Sequence, residues 1–596
     1  MKKNVLALSI AAMIGGLGLA GAASAGVVPG NGTWNGNTAA VGAGQMTTTN
    51  ATTLRISDAG VGHNLLVPYF NAQNNNMSVF HVVNTDTVNG KAVKVRFRSA
   101  SNSDDILDFQ LFLSPGDVWT AAVTQGSDGV AQITTADNSC TVPALTKNVP
   151  QKFVTARLNP NLAAADKANQ TREGYVELFN MADIPGPATG QTATALYTAI
   201  KHVNGVAPCS LAGSAARTLL NTTAITAYND QDTAARAGFN TPTTGLLGDW
   251  YIINVPQTTT FSGASTSVVA TTDGEVAARG NFVHFPQTSE SVVTGATPAT
   301  AINAFTADPL FRTNARPATT TDNTADYGTA LTSATVRAAN YDLPDMSTPY
   351  TTTANSDNAA TPGRGPLTQA NLLTTALAAT SITNQYATDA VITAKTDWVF
   401  SMPTRRYSVV ANYAATATGQ GGQTLTGLNA PSYRLFSVLA NGQTATGAGV
   451  TPFVAADWFR PNNTSVDLVG NICVNSDAQV FRDREEGPEA ATTEPIFSPG
   501  TPASVARFAF CGETSVLAFK DGGASVLGGN VARQTLTGGF SENGWGVITT
   551  TNGGPGLPVL GSSFTKLTNP NVGGGISGNF GITWPHRFTR VVAPTN

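Results

Sequence analysis

Between residues 65 and 123, apolar and polar positions follow one another in short runs broken by turn formers. Leu65, Leu66 and Val67 open an apolar run that reaches Phe70 and gives way to Asn74-Asn75-Asn76. Residues 77–84 alternate Val79, His81 and Val83 with Ser78, Phe80 and Val82, so both faces carry apolar side chains. Asn89-Gly90 predicts a hairpin turn, because both residues tolerate positive φ. Residues 92–98 alternate strictly, with Ala92, Lys94, Arg96 and Arg98 on one face and Val93, Val95 and Phe97 on the other. After a polar loop, residues 106–113 read as a strand, which Ser114-Pro115-Gly116-Asp117 turns into residues 118–123. Strands this short, separated by turn signals, predict an antiparallel β-sandwich, Ig-like or jelly-roll-like.

Further strands are predicted at 174–181, 250–255, 267–270 and 281–285, with a short helix at 192–202. Residues 287–394 are dense in Ala, Thr, Asn and Asp and weakly periodic, which predicts a low-complexity insertion with one helix near 367–377. Strand patterns resume at 397–403 and 407–413 and recur at 433–439, 506–510, 515–519 and 545–549. No fixed period joins them, so a solenoid or propeller is not expected. The chain therefore reads as all-β: a signal peptide (1–25), an extended N-terminal arm (26–59), a β-sandwich region (60–286), the insertion (287–394) and a C-terminal β region (395–596).

Composition sharpens this picture. Charged residues are 12% of the chain, about half the roughly 25% usual in globular domains, while Gly reaches 59 residues. Long amphipathic helices need Glu, Lys and Arg on their wet face, and β-branched residues favour strands. The net charge is −4 with no basic run, which disfavours nucleic acid and anionic lipid as partners. Lys2 and Lys3, an apolar stretch over 5–22 and Ala23-Ser24-Ala25 form a bacterial secretory signal with cleavage expected before Gly26. Later in the chain no stretch is long and apolar enough for a transmembrane helix. The expected location is the outside or the cell surface of a Gram-negative bacterium.

Four cysteines, Cys140, Cys209, Cys473 and Cys511, then point to disulfides. Three pairings are open, and those keeping each bridge within its own half (Cys140 with Cys209, Cys473 with Cys511) are preferred. No CxxC occurs, which disfavours zinc or a redox role.

Candidate chemistry is sparse. Arg482-Asp483-Arg484-Glu485-Glu486 could supply a carboxylate pair or a cation site, but an internally paired loop is the preferred reading. Asp104, Asp105 and Asp108 could offer oxygens to calcium, against which a solvated turn is preferred. His63, His81, His202, His284 and His586 are widely separated, and no HExxH, GxSxG or P-loop is present. Ser563 to Lys566 and Ser356 to Asn358 resemble pieces of the penicillin-binding signature in reversed order and are taken as chance. Trp119, Trp250, Trp398 and Trp545 could line a glycan groove, but core packing is preferred. No catalytic, cofactor-binding or metal residue is therefore assigned.

Several passages resemble a group of uncharacterised exported cell-surface proteins of proteobacteria. They are Leu113-Ser114-Pro115-Gly116-Asp117-Val118-Trp119, Thr171-Arg172-Glu173-Gly174-Tyr175-Val176-Glu177, Asp397-Trp398, Pro403-Thr404-Arg405-Arg406, Asp483-Arg484-Glu485-Glu486 and Gly544-Trp545-Gly546. The resemblance implies a secreted surface location and no activity. The expected function is a non-enzymatic structural subunit of a filament, surface layer or matrix, self-associating by strand donation from residues 26–59. The alternative is a soluble binding protein or adhesin recognising glycans or surface proteins. An outer-membrane barrel and a secreted hydrolase rank below both.

Overall fold

The computed structural model describes residues 26–36, 42–159, 162–226, 228, 230–272, 276–287, 291–294, 297–301, 324–325, 372–411, 434–437, 458–459, 463–485, 508–520, 525–536, 541–551, 554–569 and 578–590. Residues 1–25, most of the 287–394 insertion and the Ser356–Asn358 match lie outside them. The described chain is mostly β, and its sheets are predominantly antiparallel.

With strands numbered in chain order, a seven-stranded sheet runs β2 (Thr53–Ile56), β14 (Thr266–Thr271), β3 (Asn64–Asn71), β11 (Glu173–Ile184), β5 (Gly90–Ser99), β6 (Asp105–Leu113) and β9 (Cys140–Val142). A six-stranded sheet packs on one of its faces, in the order β10 (Gln151–Lys152), β8 (Ala131–Thr135), β7 (Val118–Gln125), β4 (Asn76–Asn84), β12 (Leu246–Asn254) and β13 (Thr259–Ala264). Val93, Val95 and Phe97 of β5 meet Phe80, Trp119 and Trp250 between the sheets. This is the expected sandwich.

Its second face is covered as well. Helices α1 (Ala164–Gln170), α2 (Ala195–Ile200), α3 (Ala215–Ile225) and α4 (Gln231–Arg236) fall between β10 and β12. Leu196, Ile200, Leu220 and Ala234 from the last three pack with Phe112, Met181 and Ile184. Helix α2 lies inside the predicted span 192–202, capped by Thr194, whose hydroxyl accepts from Tyr197 N.

One sequence expectation is corrected here. Asn89-Gly90 does not close a hairpin, since β4 and β5 lie in different sheets. The Asp86 carboxylate organises that crossover by accepting from Val88 N and Asn89 N. Gly90 is required by packing, because a Cβ there would stand 2.6 Å from Ile200 Cδ1. The N-terminal segment docks on later parts of the chain. The strand β1 (Gly26–Val28) pairs with β15 (Phe282–His284), and β2 pairs with β14. Met46, Ala51 and Leu54 are buried.

The C-terminal region builds a second pair of sheets. One runs β28 (Arg533–Leu536), β27 (Thr514–Phe519), β20 (Lys395–Ser401), β31 (Leu560–Asn569) and β32 (Gly578–Pro585). The other runs β25 (Ala478–Asp483), β29 (Asn543–Thr549) and β19 (Ala378–Ala387), with β30 (Leu557–Pro558) and β33 (Arg587–Arg590) also paired to β19. Trp398, Phe400 and Phe519 meet Ile382, Tyr386 and Phe481 between them. A three-stranded sheet of β23 (Thr464–Val466), β24 (Ile472–Asn475) and β26 (Ala509–Cys511) adjoins this core. The remaining pairs are β16 (Ser291–Thr294) with β17 (Thr297–Ala301), and β22 (Arg434–Ser437) with β18 (Thr324–Ala325) and β21 (Val409–Ala411). Residues 372–377, at the end of the second predicted helix, are helical.

The two regions share a core. Phe564 of β31 stands 5.9 Å from Trp250 and 5.5 Å from Phe261, and Val399 and Val516 join the same cluster. Strands β13 and β32 approach so closely that a Cβ on Gly581 would stand 2.2 Å from Thr260 O.

Candidate functional site

Across β11, β5 and β6 the register sets charge against charge. Tyr175, Arg98 and Asp105 form one row, and Glu177, Arg96 and Asp108 the next. An antiparallel sheet with one charged face ordinarily turns that face to water. Here Lys94, Arg96 and Arg98 are at most 2% exposed. Their cover comes from far along the chain: Phe285 and Gln287 on one side, and the turn Arg405–Tyr407 on the other.

Each cation is matched. Lys94 Nζ lies 2.6 Å from Asp108 Oδ1 and 2.8 Å from Gln287 Oε1. The guanidinium of Arg96 stacks 4.4 Å from the centre of the Phe285 ring. Arg98 and Arg406 converge on Glu177 Oε2 at 3.6 Å and 3.1 Å. Arg405 lies 3.4 Å from Glu513 and also donates to Ile472 O. Around this line Tyr175 shares a hydrogen bond with Ser103 and reaches Pro403 O, while Glu173 accepts from Tyr69, Gln73 and the backbone N of Asn530.

Three of the passages that carried the resemblance meet here, while 113–119 and 544–546 lie elsewhere. Residues 171–177 and 403–406 face each other in this seam, and nearby Asp397 accepts from Ser525 and Leu527 N. Burial raises Glu513 to about 7 against the opposing pull of Arg405 and Arg406. Burial and the neighbouring Asp108 raise Asp105 well above the carboxylate range. Asp108 is held low, because Lys94 and its hydrogen bonds outweigh its burial. The preferred solvated turn at 104–108 is therefore overturned: all three aspartates are buried beneath the cover. The Asp108 carboxylate already answers Lys94, which opposes a calcium role.

The cysteines pair as Cys140–Cys209 and Cys473–Cys511, the latter directly opposite each other across β24 and β26. Asp467 lies beside the second bridge, but disulfide sulfurs lack the thiolate charge that binds metal. The histidines stay apart. His63, His284 and His586 are buried and lowered by burial, to about 4, 3 and 3. His81 meets Tyr251 Oη at 2.7 Å on the outer face of the six-stranded sheet, beside an open depression of about 380 Å3 lined by Val79, Thr120 and Thr134.

Sequence reasoning missed one grouping of Ser114, Asp117 and His202. Ser114 Oγ and Asp117 Oδ2 both approach Nδ1 of His202, at 3.1 Å and 3.6 Å. A nucleophilic relay needs its serine and acid on opposite ring nitrogens, so this grouping braces the turn at 114–117. Ser563 is buried against Gln385 O, and Lys566 bonds Gln257. In the 482–486 cluster, Arg482 and Asp483 end β25, Arg484 and Glu485 form a turn, and Glu486 lies outside the described residues. Glu485 N donates to Asp483 there.

Among the tryptophans, Trp119, Trp250 and Trp398 fill cores as expected. Trp545 does not, being 42% exposed on the outer face of β29. Trp584 is 41% exposed on β32, where Phe580 is also exposed. No protein-family profile, curated protein or solved structure matches the chain. Among the described residues no helix is long and apolar enough to cross a membrane.

Proposed function

We propose that the protein is a secreted, non-enzymatic structural component of the bacterial cell surface, a subunit of a filament, surface layer or extracellular matrix. The observation that carries this reading is how residues 26–59 dock. Strand β1 forms a two-stranded sheet with β15, and β2 adds an edge to the seven-stranded sheet on β14. Between these strands, Thr47 N donates to Asn240 Oδ1 at 2.8 Å and Trp34 Nε1 to Phe239 O at 3.0 Å. An identical neighbour offers the same acceptors, so exchange of the arm converts a closed subunit into a link of a polymer. The two disulfides are compatible with an oxidising location outside the cytoplasm.

A second reading, an extracellular binding protein recognising glycans or surface proteins, draws on the exposure of Trp545, Trp584 and Phe580. Electron microscopy of the protein recovered from the cell exterior separates the two. The structural reading expects regular filaments or sheets from the full chain and single particles after deletion of residues 26–50. Single particles from the full chain at every concentration would overturn it.

A further inference from the structure

We propose that Lys94 and Asp108 condense into an intramolecular isopeptide bond that ties β5 to β6. The inference goes beyond the structural reading and does not depend on self-assembly. Register sets the reactants on one face of the sheet. Lys94 lies opposite Gln110, and Asp108, on the same strand as Gln110, lies opposite Arg96. The lysine leans along the strand to the diagonal position, which brings Nζ to 2.6 Å from Asp108 Oδ1 with neither side chain exposed. The carboxyl carbon is one C–O bond beyond that oxygen, near the roughly 3–3.5 Å of a near-attack arrangement.

The other buried lysine of β5 shows what is particular about this pair. Lys91 Nζ has Asp183, the hydroxyl and carbonyl oxygens of Thr243 and the carbonyl of Thr244 within 3.3 Å, enough for every ammonium proton. Lys94 Nζ has two acceptors among the described residues, Asp108 and Gln287, so one of its protons is the readiest to be given up. Gln287 holds both ends of the pair: its Oε1 accepts from Nζ at 2.8 Å, and its Nε2 donates to Asp108 Oδ1 at 2.5 Å. These bonds polarise the carboxyl group for attack, and the same two serve the amide that results. They also mark Oδ1 as the oxygen that stays. Asp105 is the proton carrier. It is buried and hydrogen-bonded to Asp108, and its burial and that neighbour raise it well above the carboxylate range.

The reaction balances without a co-reactant. Nζ passes a proton to the Asp108 carboxylate and attacks its Cγ as a neutral amine. The Nζ–Cγ bond forms and the Cγ–Oδ2 bond breaks, with Asp105 protonating the departing oxygen and taking back a proton from nitrogen. One water leaves, carrying in net the two protons that nitrogen gives up, and Asp105 ends as it began. A buried ion pair carries a desolvation cost that a neutral amide does not, so burial favours the product.

Intact mass spectrometry of the reduced full chain recovered from cells, with tandem sequencing of its tryptic peptides, tests the bond. Expected are a mass lower by one water than the sequence requires and a branched peptide joining Lys94 to Asp108. Lys94→Arg should show the full mass. Asp105→Asn should slow linkage roughly 10²-fold or more in freshly synthesised protein. Wild type at full mass, or one water short without the branched peptide, would overturn the proposal. So would a Lys94→Arg chain that keeps the deficit. The wild-type spectrum decides whether or not either variant folds. Filaments built from unlinked chains would refute this bond and leave the structural reading standing.

Discussion

Strand β5 of the N-terminal sandwich and strand β29 of the C-terminal pair both lie inside their sheets and both alternate, yet they treat their second face in opposite ways. β5 carries Lys94, Arg96 and Arg98 into the interior, where Phe285, Gln287 and Arg406 cover them. β29 turns Gly546 and Ile548 inward and leaves Trp545 in water. Polarity of the side chain did not decide its place. What decided it was whether a later segment supplies partners. Burying a charge is costly unless it is paired, so the seam commits both regions to one arrangement, whereas Trp545 stays exposed on the outer face of β29.

The comparison breaks most severely at the seam. Glu177→Ala leaves Arg98 and Arg406 buried without their shared carboxylate and should cost about 3–5 kcal/mol, measured by denaturant unfolding. A loss within about 0.5 kcal/mol would mean that the cover opens to water. Cutting the C-terminal bridge with Cys473→Ser and Cys511→Ser should cost about 2–4 kcal/mol. Its effect should fall on protection of the C-terminal sheets in hydrogen exchange before that of β4 and β7.

Glu513 offers a pH test. Its folded pKa, about 7, lies above its ordinary value, so its stabilising contribution is complete below about 4.5 and is lost as pH rises through 7. The buried His63, His284 and His586 act oppositely: their contribution is present above 6.5 and is lost as pH falls toward 4 and 3. Glu513→Gln should therefore flatten the decline between pH 5 and 7.5, an effect of a few kcal/mol at most, and leave the acid-side loss in place. An unchanged profile would show that Arg405 and Arg406 keep Glu513 ionised throughout. Smallest of all, Trp545→Ala should change stability by no more than about 0.5 kcal/mol, against about 3–5 kcal/mol for Trp398→Ala in the core.

Much of the sandwich was legible. The runs at 65–70, 77–84, 92–98, 106–113 and 118–123 are β3 to β7, because local alternation and turn residues determine strands. Sheet assignment was less legible, and Asn89-Gly90 misled because its glycine answers to Ile200 rather than to a turn. The seam could not be read, since Glu177 and Arg406 are 229 positions apart and nothing near either announces the other. The exposure of Trp545 was within reach. Its flanking glycines are visible in the sequence, and their shared parity with Ile548 indicates an inward surface with no room for side chains.

The separation between Glu177 and Arg406 also governs the order of events as the chain is made. By residue 287 the growing polypeptide holds every strand of the first two sheets, including β14, which joins β2 to β3. The turn at 405–407 and Glu513 emerge later, so Arg98 and Glu177 must await the residues that close over them. Assembly is then vectorial, the N-terminal sheets forming a template on which the rest is laid down, as domains generally fold in order of synthesis. Refolding of the whole chain from denaturant has no such sequence imposed on it, and it should be the slower and more error-prone route to the same structure.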